Sequence, residues 1–150
     1  MITIKQIITG ILGNIATSLW FIPFLSNFIH HIRGVNFTNP FKVFIARGVI
    51  IDNRYPNKIF IRSGVILATR SMIIAHSFVP KNNKVIGEKE VVKKIYIGEN
   101  VFIGANSIIL PGTIIGKGCY VAAGSIVSGK FKSDCLIAGS PAIVKRRIKN

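Results

Sequence analysis

The stretch Ile97-Gly-Glu-Asn-Val-Phe-Ile-Gly-Ala-Asn-Ser-Ile-Ile-Leu-Pro-Gly-Thr-Ile-Ile-Gly-Lys-Gly-Cys-Tyr-Val-Ala-Ala-Gly-Ser-Ile-Val-Ser128 repeats one pattern every six residues. Every sixth position carries a β-branched apolar residue, and these positions are Ile97, Ile103, Ile109, Ile115, Val121 and Val127. The residue that follows is small in five of the six cases, with Leu110 as the exception. A strict period of six fits neither a lone helix nor an ordinary hairpin sheet, so the pattern indicates a stack of repeated short strands.

The same spacing continues upstream of this stretch. Ile61, Leu67 and Ile73 keep it, Ile45 and Ile51 form an earlier pair, and longer gaps of ten and twenty-four residues follow Ile51 and Ile73. In such a repeat the apolar residue points inward, the small residue lets the chain turn a corner, and stacked coils bury a continuous core. The pattern therefore predicts an all-β fold, a left-handed parallel β-helix of hexapeptide repeats with a short N-terminal helical segment.

The chain accordingly divides into three parts: a hydrophobic, amphipathic helical segment at 1–33, the β-helix domain at 34–144 and a basic C-terminal tail at 145–150. A protruding loop is predicted at 76–94, because this stretch is polar, rich in lysine and broken by Pro80 and Gly87. Loops raised from a rigid scaffold are common sites of binding and catalysis. A last rung from Ile137 to Ile143 is expected to close the β-helix.

The N-terminal segment has no ionisable side chain between Lys5 and His30. This uncharged stretch is long enough to span a membrane as a helix. Pro23 would break such a helix, so we expect two helices at about 3–21 and 23–32. On the first helix, one face is apolar and the other is small or polar: Ile4, Ile8, Ile11, Ile15, Leu19 and Ile22 against Gln6, Gly10, Gly13, Asn14 and Thr17. This amphipathicity favours a helix lying on a membrane interface or on the β-helix of its own assembly. A signal peptide is disfavoured because no small-residue cleavage site follows.

The chain is strongly basic, with a net charge of +15 and only five acidic residues against twenty lysines and arginines. Such a field attracts phosphates, anionic lipids or acidic glycans. No helix-turn-helix, zinc-finger or base-stacking aromatic pattern accompanies the charge, so nucleic acid is not an expected partner. The two cysteines, Cys119 and Cys135, are too few for a disulfide scaffold, which favours a reduced, cytoplasmic protein.

The quoted stretch and the closing Ala138-Gly-Ser-Pro-Ala-Ile-Val-Lys-Arg146 resemble the hexapeptide-repeat (left-handed β-helix) acyltransferases, most of all the sugar and polysaccharide O-acetyltransferases. The resemblance covers roughly residues 34–147. It implies transfer of an acetyl group from acetyl-CoA to a hydroxyl of a saccharide, such as a capsular, lipopolysaccharide or exopolysaccharide precursor. It also implies a cytoplasmic homotrimer, and residues 1–33 would be available for peripheral contact with the membrane.

The resemblance places the catalytic base at His76, which opens the predicted loop in an Ile-x-x-His context that the family shares. Histidine suits general-base catalysis because its pKa as a residue type lies near neutral pH. A lone histidine after an apolar run is otherwise usually an ordinary loop residue. His30 and His31 end the N-terminal helical segment, where a structural role is favoured. The implied mechanism is direct attack in a ternary complex, without an acyl-enzyme.

Binding residues follow from the same resemblance. Asp52 and Asn53 align with positions that contact the acceptor. Asp52 is also the one acid of the earlier coil, so it could orient the His76 ring. An equal alternative is that both residues only form a turn at this corner. Acyl-CoA binding is implied for Ala105, Ala123, Ser128, Lys130, Lys145 and Arg146. Small residues let the pantetheine arm approach the backbone, and basic ones pair with phosphate.

Two alternatives remain open beside saccharide O-acetylation. The first is N-acetylation of an amino sugar or a xenobiotic, which needs the same base and the same thioester. The second is a non-catalytic β-helix scaffold protein. No metal is expected, because the β-helix carbonic anhydrases hold zinc with three histidines of the coil region and this chain has only His76 there.

Overall fold

In the computed structural model, which describes residues 3–79 and 90–148, two helices precede a β-helix. Helix α1 spans Ile4–Ser18 and helix α2 spans Pro23–Ile32. The Thr3 hydroxyl accepts a hydrogen bond from the backbone of Gln6 and so caps α1. Pro23 starts α2, where a missing N–H removes no helical hydrogen bond. Both predicted helices are present, and α1 ends three residues early because residues 19–22 form the turn that reverses the chain.

Seventeen short strands follow within the described residues. In chain order they are β1 (Asn36–Phe37), β2 (Phe44–Ile45), β3 (Ile50–Ile51), β4 (Ile59–Ile61), β5 (Ile66–Leu67), β6 (Met72–Ile73), β7 (His76–Phe78), β8 (Glu90–Val92), β9 (Ile95–Ile97), β10 (Phe102–Ile103), β11 (Ile108–Ile109), β12 (Ile114–Ile115), β13 (Tyr120–Val121), β14 (Ile126–Val127), β15 (Lys130–Phe131), β16 (Cys135–Gly139) and β17 (Ala142–Arg147). Two short 3-10 helices, Pro40–Lys42 and Pro56–Lys58, interrupt the first coils.

The strands form three sheets, the three faces of a left-handed β-helix, as predicted. The first sheet has the order β1-β4-β9-β12-β15, the second β17-β16-β13-β10-β5-β2 and the third β14-β11-β6-β3, while β7 and β8 form a separate antiparallel hairpin. All pairs within the three sheets are parallel except β16 with β17. Each of the first four coils of the β-helix therefore contributes one strand to each face, and the fifth contributes to the first and second sheets.

The core is a set of stacks in which one repeat position lies above the next. Leu67 pairs with Ile45 on one side and Ile103 on the other, and all three are at most 3% exposed. The small residue after each stacked position is needed for close packing at the corner. A Cβ added to Gly104 would lie 2.5 Å from the backbone nitrogen of Ala123, so glycine is the residue that fits.

Both interruptions of the repeat leave the β-helix at one corner, between the third and first sheets. Residues 52–58 leave after β3, and the hairpin of β7 and β8 leaves after β6. The predicted loop at 76–94 thus begins and ends in a strand pair, and its residues 80–89 lie outside the described residues. We refer to this edge of the β-helix as the insertion corner.

The end of the β-helix differs from the prediction of a last rung at Ile143. Ile143 pairs antiparallel with Ala138 and is 55% exposed, so that prediction is wrong. The chain turns back at Gly139, whose φ of +111° favours glycine, and β17 runs along β16 in the opposite direction. The predicted tail at 145–150 begins inside this strand, and residues 149–150 lie outside the described range.

Helix α1 lies on the insertion corner through its small and polar face. Thr9, Gly13 and Ala16 are its buried residues, whereas Ile4 and Ile11 are 77% and 55% exposed. Helix α1 therefore lies on the β-helix of its own chain, one of the two predicted alternatives, but it does so through its small and polar face rather than its apolar face. None of the described helices is long and apolar enough to cross a membrane.

Candidate active site

Two residues that the sequence placed 24 positions apart meet at the insertion corner. His76 Nδ1 lies 2.6 Å from Asp52 Oδ2. The Asp52 side chain is fully buried, while 24% of the His76 side chain is exposed. The corner brings them together because β3 and β6 are neighbours in the third sheet, with Ile51 beside Ile73.

Both oxygens of the Asp52 carboxylate accept hydrogen bonds. Its Oδ1 accepts hydrogen bonds from the backbone N–H groups of Arg54 and Tyr55, at 2.8 and 3.0 Å. Its Oδ2 accepts one from the backbone N–H of Ala75, at 2.8 Å, beside the imidazole. A carboxylate offers about four acceptor positions, and these four donors use them all. Asp52 is therefore held in one orientation by the backbone on both sides of the corner.

This arrangement fixes the tautomer of His76. Because the carboxylate accepts, Nδ1 carries a proton, and in the neutral form of the ring the lone pair is on Nε2. Among the described residues, none hydrogen-bonds to Nε2. The imidazole thus presents a free basic nitrogen at a partly exposed site, which is the arrangement required of a general base.

A second set of contacts ties the hairpin to the corner. The Tyr55 hydroxyl donates to Glu90 Oε2 at 2.6 Å, and an Arg54 guanidinium nitrogen lies 3.1 Å from Glu90 Oε1. The hydrogen bond to Glu90 raises the pKa of Tyr55, so the phenol stays protonated. The Tyr55 ring lies 5.6 Å from the His76 ring and forms one wall of the site. Sequence reasoning missed Glu90, because its position in the predicted loop gave no sign of its partners.

The N-terminal helices support the corner from behind through Arg33. Its guanidinium donates to the carbonyl oxygens of Ile51 and Asp52, at 2.8 and 3.0 Å, and to Nδ1 of His30 at 2.8 Å. Burial, more than the nearby Arg33 charge, lowers the pKa of His30 to about 3. Burial also lowers the pKa of Arg33 to about 10, which leaves it charged at neutral pH. His30 is therefore a neutral, structural acceptor, and sequence reasoning assigned no role to Arg33.

Asn53 lies beneath α1. Its backbone oxygen accepts a hydrogen bond from the Thr9 hydroxyl at 2.9 Å, and its side-chain oxygen accepts one from Arg33 at 3.3 Å. A Cβ added to Gly13 would collide with that same side-chain oxygen, so the helix approaches here only because residue 13 is glycine. In this chain the Asn53 side chain therefore holds α1 against the corner, and contact with an acceptor stays a prediction.

We expect His30→Gln to flatten the acid side of the stability profile. The unfolded chain takes up a proton at His30 below about pH 6.5, but the folded chain does so only near pH 3. Folded-state stability therefore falls as the pH drops through this window, by about 1.4 kcal/mol per unit. Urea unfolding at pH 7 and pH 5 should show wild type losing about 2 kcal/mol more than the variant. Equal losses would contradict a buried neutral histidine.

The residues predicted to bind acyl-CoA are arranged along the β-helix. Ala105 and Ala123 follow β10 and β13 at the corner between the second and third sheets, and the backbone N–H of Gly124 donates to the Ala105 carbonyl at 2.9 Å. Ser128 follows β14 of the third sheet and Lys130 begins β15 of the first, so both lie at the insertion corner, and both are exposed. Within one chain the structure therefore does not bring these two pairs together.

Lys145 and Arg146 lie on β17, at the far end of the second sheet, and are exposed. His76 leaves the second coil, Ala105 and Ala123 follow in the third and fourth, and β17 adjoins the fifth. Since neighbouring strands are about 4.8 Å apart, His76 and the two basic residues are separated by roughly 14 Å along the axis. The order along the axis is thus His76, the two alanines, then Lys145 and Arg146.

Comparison with known proteins gives the same fold. Residues 94–128 match the family model described as the hexapeptide repeat of succinyl-transferase. A hexapeptide-repeat-containing acetyltransferase from Vibrio cholerae has a TM-score of 0.67 and 27% identity over 77% of this chain and 62% of its own. The same enzyme complexed with acetyl-CoA gives 0.65 and 28%, over 72% and 58%. The present chain thus spans about three fifths of the length of that relative.

Two further solved structures are similar. A polySia-specific acetyltransferase has a TM-score of 0.57 and 27% identity, over 70% of this chain and 51% of its own. A galactoside acetyltransferase in complex with coenzyme A has a TM-score of 0.70 over 98% of this chain and 84% of its own, and at 20% identity it shows the fold alone. No curated protein sequence matches the chain. The repeat and the fold agree, and the predicted resemblance is confirmed: this chain carries the hexapeptide repeat and the left-handed β-helix of the hexapeptide-repeat acetyltransferases.

Proposed function

We propose that this protein transfers an acetyl group from acetyl-CoA to a hydroxyl of a saccharide, with His76 as general base and Asp52 as its positioning residue. The observation that carries the proposal is the geometry of the His76 ring. Its Nδ1 lies 2.6 Å from the buried Asp52 carboxylate, and its Nε2 has no hydrogen-bond partner among the described residues. Relatives of the same fold, at 27–28% identity, are acetyltransferases, and one of them binds acetyl-CoA.

The proposed step needs one base and no covalent enzyme intermediate. Nε2 of His76 takes the hydroxyl proton as the oxygen attacks the thioester carbonyl. The tetrahedral intermediate then expels the thiolate of CoA, which receives the proton back from the imidazolium. Asp52 stabilises the imidazolium through Nδ1–H and keeps the ring aimed at the acceptor. Products are the acetyl ester and free CoA, so atoms and charge balance.

The placement of the predicted acyl-CoA residues supports an extended ligand lying parallel to the axis. The thioester end lies near His76, the pantetheine arm passes the small residues Ala105 and Ala123, and the phosphates reach Lys145 and Arg146. Within one chain, His76, Ser128 and Lys130 lie at the insertion corner, whereas Ala105 and Ala123 lie at the corner between the second and third sheets. A groove between two copies would bring the insertion corner of one chain to the Ala105 corner of its neighbour. We therefore propose a homotrimer with a site at each interface, in the cytoplasm where acetyl-CoA is available.

Calorimetric titration tests the donor half of this proposal before any acceptor is known. Acetyl-CoA should bind at one site per chain, and 3′-dephospho-CoA should bind about tenfold more weakly, since a charge-assisted bond is lost. Arg146→Ala should weaken acetyl-CoA to the same degree and leave dephospho-CoA unchanged. Arg62→Ala is the matched control, because this exposed arginine bonds only Thr38 in the described structure. A folded protein that binds neither ligand would favour the scaffold alternative.

An acceptor screen with matched hydroxyl and amino sugars tests the other half. Release of CoA with the hydroxyl sugars, but not with their amino counterparts, is expected for an O-acetyltransferase. The opposite preference would establish the N-acetyltransferase alternative. The base arrangement serves both reactions, so only the acceptor distinguishes them.

A further inference from the structure

The N-terminal helices present a large apolar surface outward. The solvent-exposed fraction on this surface is 77% for Ile4, 55% for Ile11 and 62% for Phe21. We name this surface the apolar helix face, and it consists of Ile4, Ile7, Ile8, Ile11, Ile15, Trp20, Phe21, Ile22, Phe24 and Phe28. Isolated exposed apolar residues are common, but a contiguous patch of this kind marks an interaction surface.

The orientation of α1 is fixed, so residues 3–79 and 90–148 leave this face uncovered. Gly13 lies against Asn53 with no room for a Cβ, and the Thr9 hydroxyl bonds the Asn53 backbone. Ser26 of α2 donates to the Ala16 carbonyl at 2.9 Å and locks the two helices together. Rolling α1 to bury its isoleucines would break each of these contacts.

Charge distinguishes among the partners that could cover the face. Residues 1–51 contain no aspartate or glutamate, and Lys5, Lys42 and Arg47 are exposed. Trp20 and Phe21 stand at the turn between the helices, and aromatic residues of this kind favour the headgroup region of a bilayer. An amphipathic helix with basic surroundings and exposed aromatic residues is typical of interfacial attachment to anionic lipid.

Copies of the chain have another apolar surface through which to associate. The outward residues of the third sheet form a column of Ile50, Met72, Ile108 and Ile126, each beside the next in the strand register. These side chains point away from the core and are partly or fully exposed. Self-association through this column leaves the apolar helix face free.

We propose that the apolar helix face docks on the surface of an anionic lipid bilayer. A groove of about 770 Å³ between α1 and the insertion corner is lined by Ile4, Ile8 and Ile32 and reaches Arg54 and Tyr55, beside His76. Docking therefore brings this groove to the lipid surface. If acetyl transfer is as proposed above, on which this clause rests, the acceptor is a saccharide linked to a lipid whose apolar part occupies the groove.

Vesicle flotation tests the docking with the full chain, using phosphatidylglycerol–phosphatidylcholine vesicles and phosphatidylcholine vesicles. Wild type should float with the anionic vesicles, and emission from Trp20, the single tryptophan, should shift to shorter wavelength and be quenched by brominated lipid. Ile11→Ser combined with Phe21→Ser should reduce partitioning at least tenfold. Ile143→Ser is the matched control, since Ile143 is as exposed as Ile11 but lies on β17.

Each other outcome overturns the proposal. Unchanged flotation of the Ile11/Phe21 variant would mean that charge alone adsorbs this basic protein. Equal binding to both vesicle types would exclude the requirement for anionic lipid. Dissociation of the assembly by the variant without lipid, measured by light scattering, would make the face an interface between copies. Acetyl-CoA titration of the same proteins reports separately on the proposed function, so loss of flotation and loss of donor binding are distinguishable.

Discussion

Replacement of His76 by alanine should lower kcat for acetyl transfer by about 10²–10⁴-fold, the usual contribution of a general base. The KM for acetyl-CoA should stay within about twofold, because the imidazole acts on the acceptor proton rather than on the donor. The measurement is steady-state release of CoA with the best acceptor of the screen, together with calorimetric binding of acetyl-CoA.

His31→Ala is the matched control for this variant. His31 lies on the exposed side of α2 and contacts no group of the site in the described structure. It should keep wild-type kinetics. If His76→Ala retained more than a tenth of the wild-type kcat while His31→Ala behaved normally, His76 would not be the base.

Asp52→Asn should lower kcat by roughly 10³–10⁴-fold, because it places the imidazole in the wrong tautomer. An asparagine that keeps its oxygen toward Arg54 and Tyr55 turns its amide N–H₂ toward Ala75 N–H and His76. His76 Nδ1 must then accept, and Nε2 becomes protonated and loses its basic lone pair. The donor facing the Ala75 N–H should also reduce the free energy of unfolding by about 1–3 kcal/mol.

A double-mutant cycle separates positioning from a general structural effect. In the His76→Ala background, Asp52→Asn should cost little further kcat, because both changes remove one function. Nitrogen NMR of the His76 ring should report the tautomer change directly. Additive losses in kcat, or an unchanged tautomer, would show that Asp52 acts only on the fold. Asp134→Asn, an acid remote from the insertion corner, should leave both kinetics and tautomer unchanged.

The repeat could be predicted from the sequence because it depends on the residue types within each six-residue unit. An inward β-branched residue and a small corner residue recur at a fixed interval, and each step of six residues stacks on an earlier one by the same geometry. The interruption after Ile73 was readable for the same reason, since a gap in a strict period has to leave the scaffold. The last rung failed because Ile143 keeps the spacing, while the turn at Gly139 sends the chain back antiparallel to β16.

The site was only partly readable. The sequence identified His76 as the histidine at the loop junction and Asp52 as the acid of the earlier coil. Their contact, however, depends on the third sheet, which places two coils in register. Nothing in the spacing pointed to Glu90 reaching Tyr55, since that contact spans 35 positions and closes through a hairpin.

The sequence by itself determined the β-helix, the two helices and the residue types available for catalysis, because periodicity, proline and composition act locally. The tertiary structure alone decided that Arg33 and a neutral His30 brace the insertion corner and that α1 turns its isoleucines outward. Both outcomes rest on contacts between distant segments, Arg33 with Asp52 and Gly13 with Asn53. The amphipathic pattern specifies two faces of a helix, but only packing against the insertion corner selects which of them is buried.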